Sequence, residues 1–447
     1  MNPESDFSYS FSLGTTETRE REPELIALDK LSEFILPGDQ VLARNPRNGG
    51  RMVLPTEVST ALSYCTNFRT LDEHVDVLLE DGPDQPGRAA AIRQVIKSVQ
   101  EAGLFLSAKE VCDRLAPVRE YTGPIGKPIV AIITWERPEA LARLLDSLLT
   151  NCDPSGIERC IVVDDTRNST TADQNRIITG QASQRTDISI EYFGATEALS
   201  FMNQLVQALP KHEKAIRFLL DRDAWTDYWT AGIARNFCQL LSVGKPLIVC
   251  DDDSVCDVYE APLAERGVEF SESTREAVFY HDRQSWPERA AENERDPFAR
   301  HMQVLGLTIP QALASLGNGK PKQESFKPAS AGFADRLNGQ SRVLTTECAS
   351  IGDPGTANNQ WVATLPPQSG KRLSEDRQLL ESALKVRNCY LGRMRPAFVP
   401  GTNISQITGS DNRDFLPPYF PIMRGQDQVF GDTCQFLFPD TVALDLP

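Results

Sequence analysis

One stretch constrains this chain more than any other: Leu247-Ile248-Val249-Cys250-Asp251-Asp252-Asp253-Ser254. A short apolar run ends abruptly in three carboxylates. A branched run of this length reads as a buried strand of an α/β sheet. Ligand sites in open α/β sheets lie beyond the carboxyl ends of the strands, so the run delivers three acids to a site edge. Adjacent carboxylates repel one another unless a cation neutralises them. Oxygen ligands of this kind suit Mg²⁺ or Mn²⁺, which keep waters and share substrate phosphates. The alternative is an acidic loop after a strand, and the neighbouring segments decide between the two.

Those segments read as a βαβ series beginning at Lys127. Ile129 to Thr134 and Cys160 to Asp164 are expected strands, as are Ile188 to Phe193 and Ile216 to Leu220. Pro138 to Thr150, Thr196 to Leu209 and Thr226 to Leu241 are expected helices. Residues 1–34 read as a flexible arm, 35–115 as a compact unit, 116–127 as a Pro/Gly-containing linker and 128–447 as the main domain. In the compact unit, two strand-like runs flank Asn48-Gly49-Gly50, and a capping box at Thr70-Leu71-Asp72-Glu73 opens one of three helices. Phe298 to Leu305 reads as an amphipathic helix, and Gly317 to Ser330 as a mobile loop.

Net charge is −16 and the pI is near 4.9. This argues against general nucleic-acid binding and against docking on anionic membranes, since both need positive patches. No apolar stretch has the roughly 18 residues that read as a membrane span. The ten cysteines are scattered without paired C-x-x-C motifs. They read as reduced thiols of a cytoplasmic protein. The four histidines show no zinc-ligand spacing.

Four segments fall in a fixed order: Ile133-Thr134-Trp135-Glu136-Arg137-Pro138, Val162-Val163-Asp164-Asp165-Thr166, Gly232-Ile233-Ala234-Arg235-Asn236 and Asp251-Asp252-Asp253. Together they resemble the family-two glycosyltransferases. The resemblance implies a GT-A nucleotide-diphospho-sugar transferase fold, a mixed and mostly parallel sheet with flanking helices. It also implies a UDP-linked or similar nucleotide-sugar donor and a Mn²⁺ or Mg²⁺ ion. On that resemblance Thr134, Glu136 and Arg137 line the nucleotide pocket. Asp164 or Asp165 accepts from the base or ribose. Arg235 contacts donor phosphate, Asp252 lies on the donor side, and Asp251 and Asp253 hold the metal. Trp135-Glu136 and Thr166-Arg167 depart from the family's usual residues at these places, which bears on base specificity.

Near the C-terminus, Arg424-Gly425-Gln426-Asp427 resembles the family's Glu-Asp segment, where an acid opening a helix acts as general base. A sugar hydroxyl is a poor nucleophile, so direct displacement needs a base within about 3 Å of it. Asp427 is the expected base. The alternative is a carboxylate that only meets the helix dipole. Asp411 and Asp414 are lesser candidates.

The compact N-terminal unit resembles the PqqD-like peptide-recognition domain, a small α+β winged-helix fold. It does so through its strand pair, Thr70-Leu71-Asp72-Glu73 and Glu101-Ala102-Gly103-Leu104-Phe105. The resemblance implies capture of a peptide as an added strand, with Met52, Val53, Arg93 and Lys97 forming the groove. Winged helices also bind DNA. Residues 41–115 hold nine Lys/Arg against ten Asp/Glu, which favours a peptide. The combined expectation is a metal-dependent glycosyltransferase acting on a recruited peptide or protein. The alternatives are a glycan-directed transferase and a non-catalytic binding protein.

Overall fold

The computed structural model describes residues 23–80, 86–116, 125–353, 360–401 and 406–447. Most of the expected linker, and the first part of the expected arm, lie outside those residues. The N-terminal part runs β1 (Ile26–Leu28), β2 (Ser32–Leu36), β3 (Gln40–Arg44), β4 (Arg51–Pro55), α1 (Thr56–Leu62), α2 (Leu71–Glu80), α3 (Arg88–Glu101), β5 (Phe105–Ser107) and α4 (Ala108–Arg114). Strands β2, β3 and β4 form an antiparallel sheet in that order. The capping box at α2 forms both of its bonds: Thr70 N–H donates to Glu73 at 2.7 Å, and Glu73 N–H to Thr70 Oγ1 at 3.1 Å. Strand β1, inside the segment expected to be an arm, is buried and pairs antiparallel with β5. Its apolar Ile26-Ala27-Leu28 gains more from burial than a tail would gain from freedom.

The larger part opens with β6 (Ile129–Thr134), α5 (Pro138–Asn151), β7 (Arg159–Asp164), α6 (Ser169–Ser183), β8 (Ile190–Phe193), α7 (Ala195–Ala208), α8 (Glu213–Leu220), α9 (Ala231–Leu241) and β9 (Lys245–Asp251). Pro138 occupies the first turn of α5, where its missing N–H costs nothing. Ile216 to Leu220, expected as a strand, is the end of α8. Ile216 and Leu219 pack inward while Arg217 pairs with Glu213 one turn back at 2.8 Å. That is a helical period, which a five-residue window cannot distinguish from a strand.

Then follow β10 (Glu269–Phe270), β11 (Glu276–Phe279), α10 (Pro297–Met302), α11 (Ile309–Ser315), α12 (Ala331–Ala334), β12 (Val343–Cys348), β13 (Ser350–Gly352), α13 (Pro367–Glu375), α14 (Arg377–Ala383), β14 (Cys389–Gly392), β15 (Ala397–Val399), β16 (Ile407–Asn412), α15 (Gln426–Leu437) and β17 (Val442–Leu446). Nine strands form one sheet in the order β10-β15-β17-β12-β16-β9-β6-β7-β8. Strands β9, β6, β7 and β8 are parallel neighbours, while β16 returns antiparallel beside β9. The architecture is mixed α/β with a large, mostly parallel sheet. A smaller antiparallel sheet, β11-β14-β13, lies apart from it. Among the described residues no helix is long and apolar enough to cross a membrane.

The two parts share one core. Leu25, Ala27, Phe68, Leu106 and Val111 join Phe270, Phe326, Phe333, Phe398 and Leu444 in a single cluster. Phe326 meets Phe68 edge-on at 5.9 Å and stacks on Phe270 at 4.3 Å, and Phe270 stacks on Phe398 at 4.9 Å. The segment expected as a mobile loop therefore carries a fully buried ring, Phe326. Backbone bonds from Phe68 to Ala329 and from Ala331 to Thr66 fasten the same seam.

Candidate functional site

The parallel strands β6, β7 and β9 end together, and the acid triplet begins at the last residue of β9. Its three carboxylates diverge. Asp252 is buried and accepts from Thr134 Oγ1 at 2.8 Å, Trp135 N–H at 3.3 Å and Arg137 at 3.3 Å. Asp253 is half-exposed and pairs with the same Arg137 at 3.0 Å. Asp251 points the other way and accepts from Arg235 at 3.2 Å. Burial, together with the neighbouring acids Asp427, Asp253 and Asp252, pushes Asp251 up to about 6 against the pull of Arg235. Burial also raises Asp252, against its bonds to Thr134 and Arg137.

Arg235 is 6% exposed and sits in α9, turned onto two acids. Besides Asp251, its Nε lies 3.0 Å from Asp427 Oδ1, an ion-pair distance at which the N–H is not aligned for a hydrogen bond. Its guanidinium carbon lies 5.7 Å from the centre of the Tyr419 ring. Arg235, expected to contact donor phosphate, forms a buried bridge between these two acids, because α9 packs it under the segment that leads into α15. Asn236, the next residue, accepts from Tyr419 N–H at 2.7 Å and donates to Tyr419 O at 3.0 Å. Gly232 permits this approach, since a Cβ there would lie 1.9 Å from Phe420 O. Asp427 stands in the first turn of α15, after Gly425 at φ 92°.

Asp164 is spent internally. Its oxygens accept from Thr166 N–H at 2.8 Å, Asn175 at 3.0 Å and Tyr192 at 2.8 Å. It anchors the β7–α6 loop through these bonds. Asp165 accepts from Thr230 and lies 3.5 Å from Arg222; burial raises its pKa. Glu136 adopts φ 56°, a conformation non-glycine residues rarely hold. Its carboxylate accepts from the N–H groups of Arg167 and Asn168 at 3.0 and 2.9 Å, so it ties the β6–α5 loop to the β7–α6 loop.

Sequence reasoning missed an aromatic wall. Trp135 and Trp229 are exposed with ring centres 5.6 Å apart, and the Arg424 guanidinium lies 5.0 Å from the Trp229 centre. The signal available is the aromatic density of Trp225 to Trp229, most of which falls in the helix expected over Thr226 to Leu241; α9 begins only at Ala231.

In the N-terminal part, β4 is an edge strand of its sheet. Met52 is half-buried on the core face and Val53 is exposed on the opposite face. Strand alternation therefore separates two residues expected to line one groove. Arg93 pairs with Asp72, and Lys97 is exposed.

Metal fit rests on the same carboxylates. Among the described residues no three His, Cys, Asp or Glu side chains are gathered to hold an ion alone. Mg²⁺ needs only one or two carboxylates when substrate phosphates complete its shell. The half-exposed Asp253 suits that role, while Asp251 is turned onto Arg235.

No family model and no curated protein sequence matches the chain. A solved structure described as an apo WbbM bifunctional glycosyltransferase aligns with 49% of this chain at 12% identity and a TM-score of 0.19. The alignment spans 38% of that protein's chain. A likeness at that score carries no argument about fold or chemistry.

Proposed function

We propose that this protein is a glycosyltransferase that moves a sugar from a nucleotide-sugar donor, UDP-linked, to an acceptor hydroxyl. One observation carries the reading. Arg137 with Asp252 and Asp253, and Arg235 with Asp251 and Asp427, form two ion-pair clusters joined through three consecutive residues at the end of a parallel strand. Distant segments thus converge where α/β sheets bind ligands. The Trp135–Trp229 pair offers aromatic faces for a nucleobase.

Asp253 would hold Mn²⁺ or Mg²⁺, and Asp251 would join it only by turning away from Arg235. The ion, when bound, neutralises charge on the leaving diphosphate. In a direct displacement the acceptor oxygen bonds to the anomeric carbon and passes its proton to Asp427. The bond to the nucleoside diphosphate breaks with its electron pair. Arg235 orients Asp427 for this step.

Two acceptor readings stand. A peptide or protein could add along the free edge of β4, beside Met52 and Val53, with Arg93 and Lys97 on the nearby helix. A glycan acceptor is favoured by the fusion of the N-terminal unit into the shared core, which gives that unit a scaffolding role. Titration of UDP with and without Mn²⁺ tests the donor site. UDP should bind in Mn²⁺, and Asp253→Ala should lose that metal-dependent binding while remaining folded. Binding indifferent to EDTA would remove the metal assignment. No binding across a panel of nucleoside diphosphates would remove the transferase reading.

A further inference from the structure

A cavity of about 510 Å³ lies beside the acid triplet, walled by the segment after Asp253 and by residues of α5, α10 and β13. That is room for a ligand of one or two sugar rings by the usual scale of small-molecule sites. Arg143, Arg283 and Arg300 line it, and none has a carboxylate partner among the described residues. The acidic side chains lining the same cavity are all claimed from outside it. Asp253 pairs with Arg137 at 3.0 Å, Asp257 with Arg289 at 2.9 Å, and Asp353 with Arg387 at 3.8 Å. The cavity thus presents three arginines that no side-chain carboxylate pairs, in a protein of net charge −16. Such arginines attract and fork onto carboxylate or phosphate.

The other walls fit a hydroxylated ligand. Arg283 is held over the Trp286 ring at 5.2 Å, and Tyr259 meets Trp286 edge-on at 5.5 Å. His301 also lines the cavity, is 1% exposed, and has an Nε2 with no partner. Its Nδ1 is engaged with Thr346 Oγ1 at 2.7 Å. Burial, with Arg300 adding to it, holds this imidazole down to about 4. It is therefore a neutral group, suited to a hydroxyl more than to an anion.

We propose that this cavity binds an anionic sugar, a saccharide carrying a carboxylate or phosphate, as the second substrate of the acid-triplet site. The role as second substrate rests on the glycosyltransferase reading; the binding does not. Calorimetric titration of the full chain with glucuronic acid, glucose 6-phosphate, glucose, inorganic phosphate and UDP tests it. The two charged sugars should bind at least ~10-fold tighter than glucose, as expected when a charged hydrogen bond is worth about 1.5–3 kcal/mol. The double variant Arg143→Ala/Arg300→Ala, confirmed folded by its thermal melt, should lose that preference and keep its affinity for UDP. Charged and neutral sugars binding alike, or a variant that binds as wild type does, would overturn the proposal. So would inorganic phosphate binding as tightly as the phosphorylated sugar. A variant that loses UDP would assign the cavity to donor phosphates and also overturn it. Wild type that binds the charged sugars but no UDP would support the site and remove only the UDP-linked donor.

Discussion

Arg235 stands 3.0 Å from Asp427, on a helix far earlier in the chain, and holds Asp251 at 3.2 Å with the same guanidinium. One buried cation therefore ties the acid at the end of β9 to the acid that opens α15. Removing it leaves two carboxylates facing each other without a counter-charge.

Arg235→Met should destabilise the protein by about 3 kcal/mol, the lower end for breaking a buried ion pair, since Asp251 keeps some contact with water. Chemical denaturation measures this. The double variant Arg235→Met/Asp251→Asn should recover part of the loss. A single variant as stable as wild type would mean the bridge holds nothing together.

Asp251 gives a pH signature. Its pKa is raised to about 6 in the folded protein, from about 3.9 unfolded. The folded state then binds more protons between those values, so this carboxylate's contribution to stability falls as pH rises through that window. Asp251→Asn removes the effect. The stability difference, variant minus wild type, should rise from pH 4 to pH 6 and level off above. A difference flat across that range would contradict the assignment.

Phe326 joins the two parts of the chain. Phe326→Ala should cost about 3–5 kcal/mol, as for other buried phenylalanines. The variant should still unfold in one transition by calorimetry, because the N-terminal strands and the large sheet share the same cluster. Two separated transitions in wild type would show that the parts fold independently.

Strands β7 and β9 were legible because each is a branched apolar run buried on both faces, as is β6, Ile129 to Thr134. Their acidic ends were legible for the same reason: the polarity changes within one residue. Side-chain direction was not. Asp251, Asp252 and Asp253 look equivalent in sequence, yet the first faces α9 and the others face Arg137. The partners of Asp164, Asn175 and Tyr192, come from elements that only the fold brings near. Phe326 was hidden in a polar stretch, where a single aromatic residue gives no period. Burial of that ring depends on Phe68 and Phe270, both distant in sequence.

The central claim is catalytic, and turnover tests it most directly. The protein is incubated with Mn²⁺ and a panel of nucleotide sugars, with glucose 6-phosphate and glucuronic acid as acceptors, and release of free nucleoside diphosphate is followed beside mass spectrometry of the products. The account predicts that wild type releases diphosphate from at least one donor. Asp427→Asn should release it at least ~100-fold more slowly, the lower scale for loss of a general base, with donor affinity nearly intact. Donor binding without turnover in wild type, or an Asp427→Asn variant as fast as wild type, would contradict it.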